Sequence, residues 1–217
     1  MQPSSTQQPS SQQRARYLFY RLAMYALFLG ALILVLVVDA NADQAKFFEN
    51  SLTERAQEAI LLLLVLGMFY ASTILRRVSN LAFVFSGFFL VCLIRELDAL
   101  LEQNIGTGTW QLLVTLVLAG VLYRVKGSWS SLVTEFRINT STYNFGLFAA
   151  GFLITFIFSR LIGSEELWMA VMEEGYQRNV KNAVEESVEL LGYAVLLFAG
   201  VEFYAHHARS ARSSDPS

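Results

Sequence analysis

The chain has 217 residues, 54% of them hydrophobic and only 16% charged, with a mean hydropathy of +0.44. An average soluble domain carries about 25% charged residues, so a water-soluble globule is excluded. A net charge of −2 gives no reason to expect nucleic acid as a partner, and the single cysteine, Cys92, excludes an intrachain disulfide and a thiolate metal centre.

The apolar residues come in blocks of about 20, the length of a membrane span. Residues 1–16, rich in Gln, Ser and Pro up to Gln13, read as a disordered cytoplasmic tail. The first block follows Arg14 and Arg16 and runs from Tyr17 to Val38, free of charge from Leu22 onward. The small residues of Asp39-Ala40-Asn41-Ala42 also resemble a signal-peptide cleavage site, but the apolar run is longer than a signal core of about 7–15 residues. Ser51-Leu52-Thr53-Glu54 has the spacing of a capping box and introduces a second span from about Gln57 to Leu75. Block three starts after Ser79-Asn80 and continues to Leu101, with Arg95, Glu96 and Asp98 in its last turns. The turn-forming stretch Asn104 to Gly108 leads into a short fourth block, Trp110 to Tyr123. Block five is Phe145 to Ile162 with Arg160 near its end, and block six is Ala183 to Ala205 with Glu185, Glu186, Glu189 and Glu202.

Two connecting segments have helical amphipathicity. Trp129, Leu132, Val133 and Phe136 recur at i, i+3, i+4 and i+7 with Ser130, Ser131, Thr134 and Glu135 opposite. Glu165 to Gln177 forms the second, with Ser164 as its cap and Leu167, Trp168, Val171 and Met172 as its apolar stripe. Each reads as a helix lying in the membrane surface, or as a loop helix covering the bundle end. The expected fold is all-α: a polytopic integral membrane bundle of six transmembrane helices over residues 17–208, two short interfacial amphipathic helices, and a disordered cytoplasmic tail over 209–217.

With the N-terminus inside, ten of the sixteen basic residues fall on the cytoplasmic side, as the positive-inside rule requires, and both termini are cytoplasmic. A bacterial inner membrane is the expected location. Fifteen of the eighteen acidic residues fall on the outer side. Asp39, Asp43 and Glu49 read as loop residues facing water. Glu58, Glu96, Asp98, Glu185, Glu186 and Glu189, with Arg95 and Arg160, lie at membrane depth in the outer third. A charge in hydrocarbon costs a few kcal/mol even on lenient scales, so these groups should face one another or water. Six carboxylates against two arginines leave negative charge to be solvated, protonated or bound to a cation. Oxygen-only ligation would suit a hard divalent cation, and no other cofactor is expected.

The leading functional expectation is a small non-enzymatic membrane protein. Its acidic groups bind or relay a cation or proton in transport or sensing, with Arg95 and Arg160 positioning them. The bland alternative is a set of interhelical ion pairs and caps in a structural accessory subunit that docks a larger membrane partner. An intramembrane lipid-acting enzyme is the weakest alternative, because Ser86 lies several turns below Asp98 on the same span. His206 and His207 are adjacent, cannot form an i, i+4 ligand pair, and read as surface residues. Glu202 and Arg21 should meet at the cytoplasmic end. Gly146, Ala150 and Gly151 on span five, and Gly192 and Gly200 on span six, offer small faces for close helix approach.

Overall fold

The computed structural model describes residues 11–42, Phe47 and 51–212, and all regular secondary structure among them is helical. Met1–Ser10, Asp43, Lys46, Glu49 and residues 213–217 lie outside the described residues. Ten α-helices follow in order: α1 (Ser11–Ala40), α2 (Leu52–Ile74), α3 (Ser79–Glu96), α4 (Asp98–Asn104), α5 (Thr109–Val125), α6 (Trp129–Thr140), α7 (Tyr143–Leu153), α8 (Ser159–Ile162), α9 (Glu165–Met172) and α10 (Arg178–Arg212). The first and last helices extend into the stretches read as tails.

Five segments are long and apolar enough to cross a membrane: Ala15–Ala40, Leu52–Ile74, Arg76–Glu96, Tyr143–Ile162 and Arg178–Ser210. A sixth exists only if α4 and α5 together make one span, and that pair is bent by 119°. The bend sits where Gly106 and Gly108 take φ of +144° and +86°, a region side-chain-bearing residues rarely enter. The turn expected from Asn104 to Gly108 is therefore present, and it separates α4 from the apolar run instead of merging with it.

Hydrophobic burial is concentrated where α2, α3 and α10 meet, in Leu61, Leu64, Ala71, Ala82, Phe89, Ala194 and Leu196 among others. The outward faces of these helices are apolar too, as lipid requires. α1 touches α2 and α10 along one stripe, Arg21, Tyr25, Phe28, Leu29, Leu32 and Leu36, spaced by three or four residues. Its other side leaves Phe19, Leu27 and Leu34 exposed.

Small residues set the closest helix approaches. An added methyl at Gly151 would come within 2.8 Å of the Leu196 side chain, and one at Gly192 would collide with Thr155. Gly146 faces open space and Ala150 is exposed, so the small face of α7 is narrower than the sequence implies. Thr155 lies in a π-helical turn, Ile154–Phe158, that joins α7 to α8. There the Ser159 N–H reaches back five residues to the Ile154 carbonyl. Such widened turns occur often at functional positions, and here the turn carries Ser159 and Arg160 toward α10.

Several local expectations need correction. Asp39 is buried, not a loop residue facing water. Its carboxylate accepts the N–H groups of Leu52 and Thr53 at 3.4 and 3.2 Å and the Thr53 hydroxyl at 2.6 Å. It therefore caps α2 together with Ser51, whose hydroxyl accepts the Glu54 N–H at 3.2 Å. The second amphipathic helix ends at Met172, short of Gln177, because Glu173 takes a φ of +47° and opens a 3₁₀ turn. Ser164 occupies the N-cap position without making a cap hydrogen bond. On α6, Glu135 is buried and Trp129 is 61% exposed, whereas Ser130, Ser131 and Thr134 are exposed and Leu132 packs against the core, so the helix is not divided into a buried apolar and an exposed polar face.

Candidate functional site

α10 carries the acidic groups at helical spacing. Lys181, Glu185 and Glu189 follow one another at i, i+4, while Glu186 and Tyr193 present the adjoining side. Three other helices supply their partners. Arg160 of α8 donates to Glu185 at 3.0 Å and pairs with Glu189 at 2.7 Å, and Lys181 holds the second Glu185 oxygen at 2.6 Å. The absence of a side chain at Gly163 admits the Glu185 carboxylate, which an added methyl there would strike. Gln57 of α2 donates its side-chain amide to the Glu186 carboxylate at 2.9 Å and to the Glu186 carbonyl at 3.3 Å. Tyr193 donates its hydroxyl to Glu96 of α3 at 2.7 Å.

Glu189 is the most enclosed of these acids, 3% exposed. The Ser159 hydroxyl lies 3.3 Å from it and donates to the Thr155 carbonyl at 2.5 Å. Glu96 lies in electrostatic range of Glu58, Glu186, Glu189 and Arg160. Glu96, Glu185, Glu186 and Glu189 thus form one cluster with Arg160 and Lys181, four carboxylates to two cations. Among the described residues, Glu185 and Glu189 are the two of these acids that touch a cation. Glu186 and Glu96 rest on neutral donors, Gln57 and Tyr193.

Three buried side-chain atoms have no hydrogen-bond partner among the described residues: Gln57 Oε1, Thr155 Oγ1 and His207 Nε2. Two of them border the acidic cluster. Gln57 is 1% exposed and Thr155 2%. Buried polar groups in proteins are nearly all satisfied, so orphan acceptors beside carboxylates point to a donor that these positions can receive.

Next to the cluster, a cavity of about 380 Å³ opens between α3, the π turn, α8 and α10. Arg95, Glu96, Arg160 and Tyr193 line it together with Cys92 and Phe156. Toward the middle of the bundle it meets a stack of phenylalanines. Phe88 to Phe156 is 5.7 Å between ring centres, and Phe152 to Phe156 is 5.0 Å. A second cavity of about 370 Å³ lies between α2 and α10, but its walls, such as Leu63, Gly67, Leu197 and Gly200, are almost entirely apolar and offer no chemistry.

The eight residues singled out from the sequence do not all converge. Glu96, Glu185, Glu186, Glu189 and Arg160 come together, with Glu58 half-buried at the cluster edge. Arg95 is exposed on the cavity wall and forms no ion pair among the described residues. Asp98 accepts the Ala99 N–H at 2.6 Å in the first turn of α4 and, among the described residues, makes no hydrogen bond or ion pair with the cluster. Among the described residues no three Asp, Glu, His or Cys side chains form a group able to hold a metal ion.

Gln57, Thr155, Ser159 and Tyr193 were not singled out beforehand. The one available signal was a glutamine at the head of an otherwise apolar block.

The opposite end of the bundle has its own polar contacts. Glu135 accepts the Leu81 N–H at 2.8 Å, the Asn80 amide at 2.8 Å and the Ser131 hydroxyl at 3.0 Å, and so caps α3 from α6. Arg124 donates to Asn80 at 3.2 Å. Glu202 pairs with Arg21, as expected, and accepts the Tyr25 hydroxyl at 2.5 Å. His207 is 8% exposed and packs 4.6 Å from the Phe203 ring, so it is not a surface residue, whereas His206 is. Ser86 donates its hydroxyl to the Val65 carbonyl at 3.0 Å, an interhelical bond rather than a free nucleophile.

Comparison with family models, with curated proteins and with solved structures returns no match.

Proposed function

We propose that the chain is a small multi-pass membrane protein that binds or relays a proton through its carboxylate and arginine cluster, in sensing or transport. The carrying observation is the Gln57–Glu186 pair. Among the described residues Glu186 has no cation partner, and the Gln57 carbonyl oxygen beside it is buried and unpartnered. With Glu186 ionised, the amide donates to it and the amide oxygen is left over. With Glu186 protonated, the amide turned over can accept from the carboxyl hydroxyl, which gives the amide oxygen a partner. Thr155 Oγ1, beyond Glu189, is a second buried oxygen without a partner among the described residues, and its hydroxyl can donate or accept. A hard divalent cation is the weaker occupant, since the described acids do not form a three-ligand group.

In this reading α4 and α5 together make the sixth span, α6 and α9 lie at the two membrane surfaces, and both termini are cytoplasmic. The membrane is a bacterial inner membrane and the cluster faces outward. The bundle acts without enzymatic chemistry. A second reading, a structural accessory subunit that docks a membrane partner, is favoured by one specific feature. Apart from the Lys181–Glu185 pair within α10, the contacts of the cluster cross between helices, α8 to α10, α3 to α10 and α2 to α10, as a clamp would.

The melting temperature of the full-length protein in nanodiscs, measured against pH and against Ca²⁺, Mg²⁺ and Mn²⁺, separates these. A proton held by the fold and released by the unfolded chain makes stability fall as pH rises. Glu186→Gln should flatten that slope. A melting temperature indifferent to pH discards the proton site and leaves the clamp, and a response to divalent ions alone moves the assignment to a metal.

A further inference from the structure

The cavity beside the cluster has a composition that proton binding does not require. Of its lining side chains, Arg95 and Arg160 carry positive charge and Glu96 negative charge, so two guanidinium groups face the space beside one carboxylate. Glu96 is directed to the Tyr193 hydroxyl. Arg160 is held by Glu185 and Glu189, and its side chain remains 52% exposed. Arg95 is left with an uncompensated guanidinium at the rim. Below the guanidinium groups the lining turns apolar, through Val91, Cys92 and Phe156.

Two fork-shaped cations above an aromatic floor are complementary to an anion carried on an apolar body. The volume of about 380 Å³ falls in the usual range of ligand pockets. α3 and the α7–π-turn rod meet across the bundle through the rings of Phe85, Phe88, Phe148 and Phe156.

We infer that this cavity is a binding site for an anionic amphiphile. Its phosphate or carboxylate head is held between Arg95 and Arg160, and its chain lies against Phe156. The inference goes beyond the proton site and shares Arg160 with it, but it does not depend on the Gln57–Glu186 pair, which is not part of the cavity lining.

Cys92, the sole cysteine, lines the cavity and is 7% exposed, so its labelling at alkaline pH, where the reactive thiolate forms, reports access to the cavity. The test is the rate at which N-ethylmaleimide labels the full-length protein in phosphatidylcholine nanodiscs. The additions are decyl phosphate, decyl maltoside or inorganic phosphate in turn. Decyl phosphate at about ten times its Kd should slow labelling about tenfold, by mass action. Arg95→Gln should label at the unprotected rate, and Arg95→Lys should retain partial protection. Both variants leave every hydrogen bond of the cluster intact. Glu186→Gln should keep full protection even if it abolishes the pH response, which separates failure of this site from failure of the proton site. Equal protection by decyl maltoside overturns the anion assignment. Equal protection by inorganic phosphate overturns the amphiphile in favour of a free anion. Protection undiminished in Arg95→Gln overturns the site.

Discussion

Arg160 and Glu189 form a pair whose two members are unequally buried, and removing each should have an unequal effect. The Glu189 side chain is 4% exposed and that of Arg160 is 52%. Breaking a fully buried pair by deleting one partner costs about 3–5 kcal/mol, most of it from the charge left behind. Arg160→Gln leaves a carboxylate in the bundle interior, whereas Glu185 keeps Lys181 as a partner. Discounted for the exposure of the lost guanidinium, the cost should be about 2 kcal/mol. Glu189→Gln leaves an arginine that reaches solvent and still bonds Glu185, so about 0.5–1 kcal/mol is expected. In the double variant no charge is stranded, and its cost should fall below that of Arg160→Gln alone. Reversible unfolding in mixed micelles titrated with dodecyl sulfate, followed by circular dichroism, measures all three. Strictly additive costs, or a Glu189→Gln penalty equal to that of Arg160→Gln, would refute the reasoning.

Other expectations follow from single contacts. Asp39→Ala removes the side-chain acceptor for two N–H groups at the start of α2 and for the Thr53 hydroxyl, and should cost about 1–2 kcal/mol in the same unfolding assay. A cost near zero would mean that Ser51 suffices as the cap. Glu135→Ala strips the Leu81 N–H and the Asn80 amide of their buried acceptor and should cost about 1–3 kcal/mol, with faster amide exchange at the start of α3 as its local signature. Gly192→Ala forces α10 away from the π turn at Thr155 and should destabilise by about 1–3 kcal/mol. The same change at Gly146, where nothing lies within 4 Å, should be close to neutral.

Length and periodicity carried much of the architecture. Apolar runs of span length, the Ser51 cap and the glycine turn at Gly106–Gly108 are local features, and the structure contains them. The i, i+4 spacing of Glu185 and Glu189 implied a shared face, and Arg160 meets both. Residues whose role depends on a distant partner were harder to read. Glu135 looked like the solvent side of an amphipathic helix because its spacing shows which face it shares but not what that face meets, and it meets the start of α3. Asp39 misled in the same way by capping a helix that begins more than ten residues later. Asp98 was grouped with the cluster by depth alone, yet the break at Leu97 restarts the helix and turns its carboxylate to its own backbone. Gln57 and Thr155 are neutral, so a search for buried charge passes over them, and their unpartnered oxygens emerge only from three-dimensional packing.

Infrared difference spectroscopy of the full-length protein in lipid tests the central claim most directly, because it reports protonated carboxyl groups in the folded bundle. The wild type at neutral pH should show a carboxyl carbonyl band that disappears on alkaline titration and is absent from Glu186→Gln. A spectrum with only ionised carboxylates at neutral pH, or a band that survives in Glu186→Gln and Glu189→Gln alike, would contradict it.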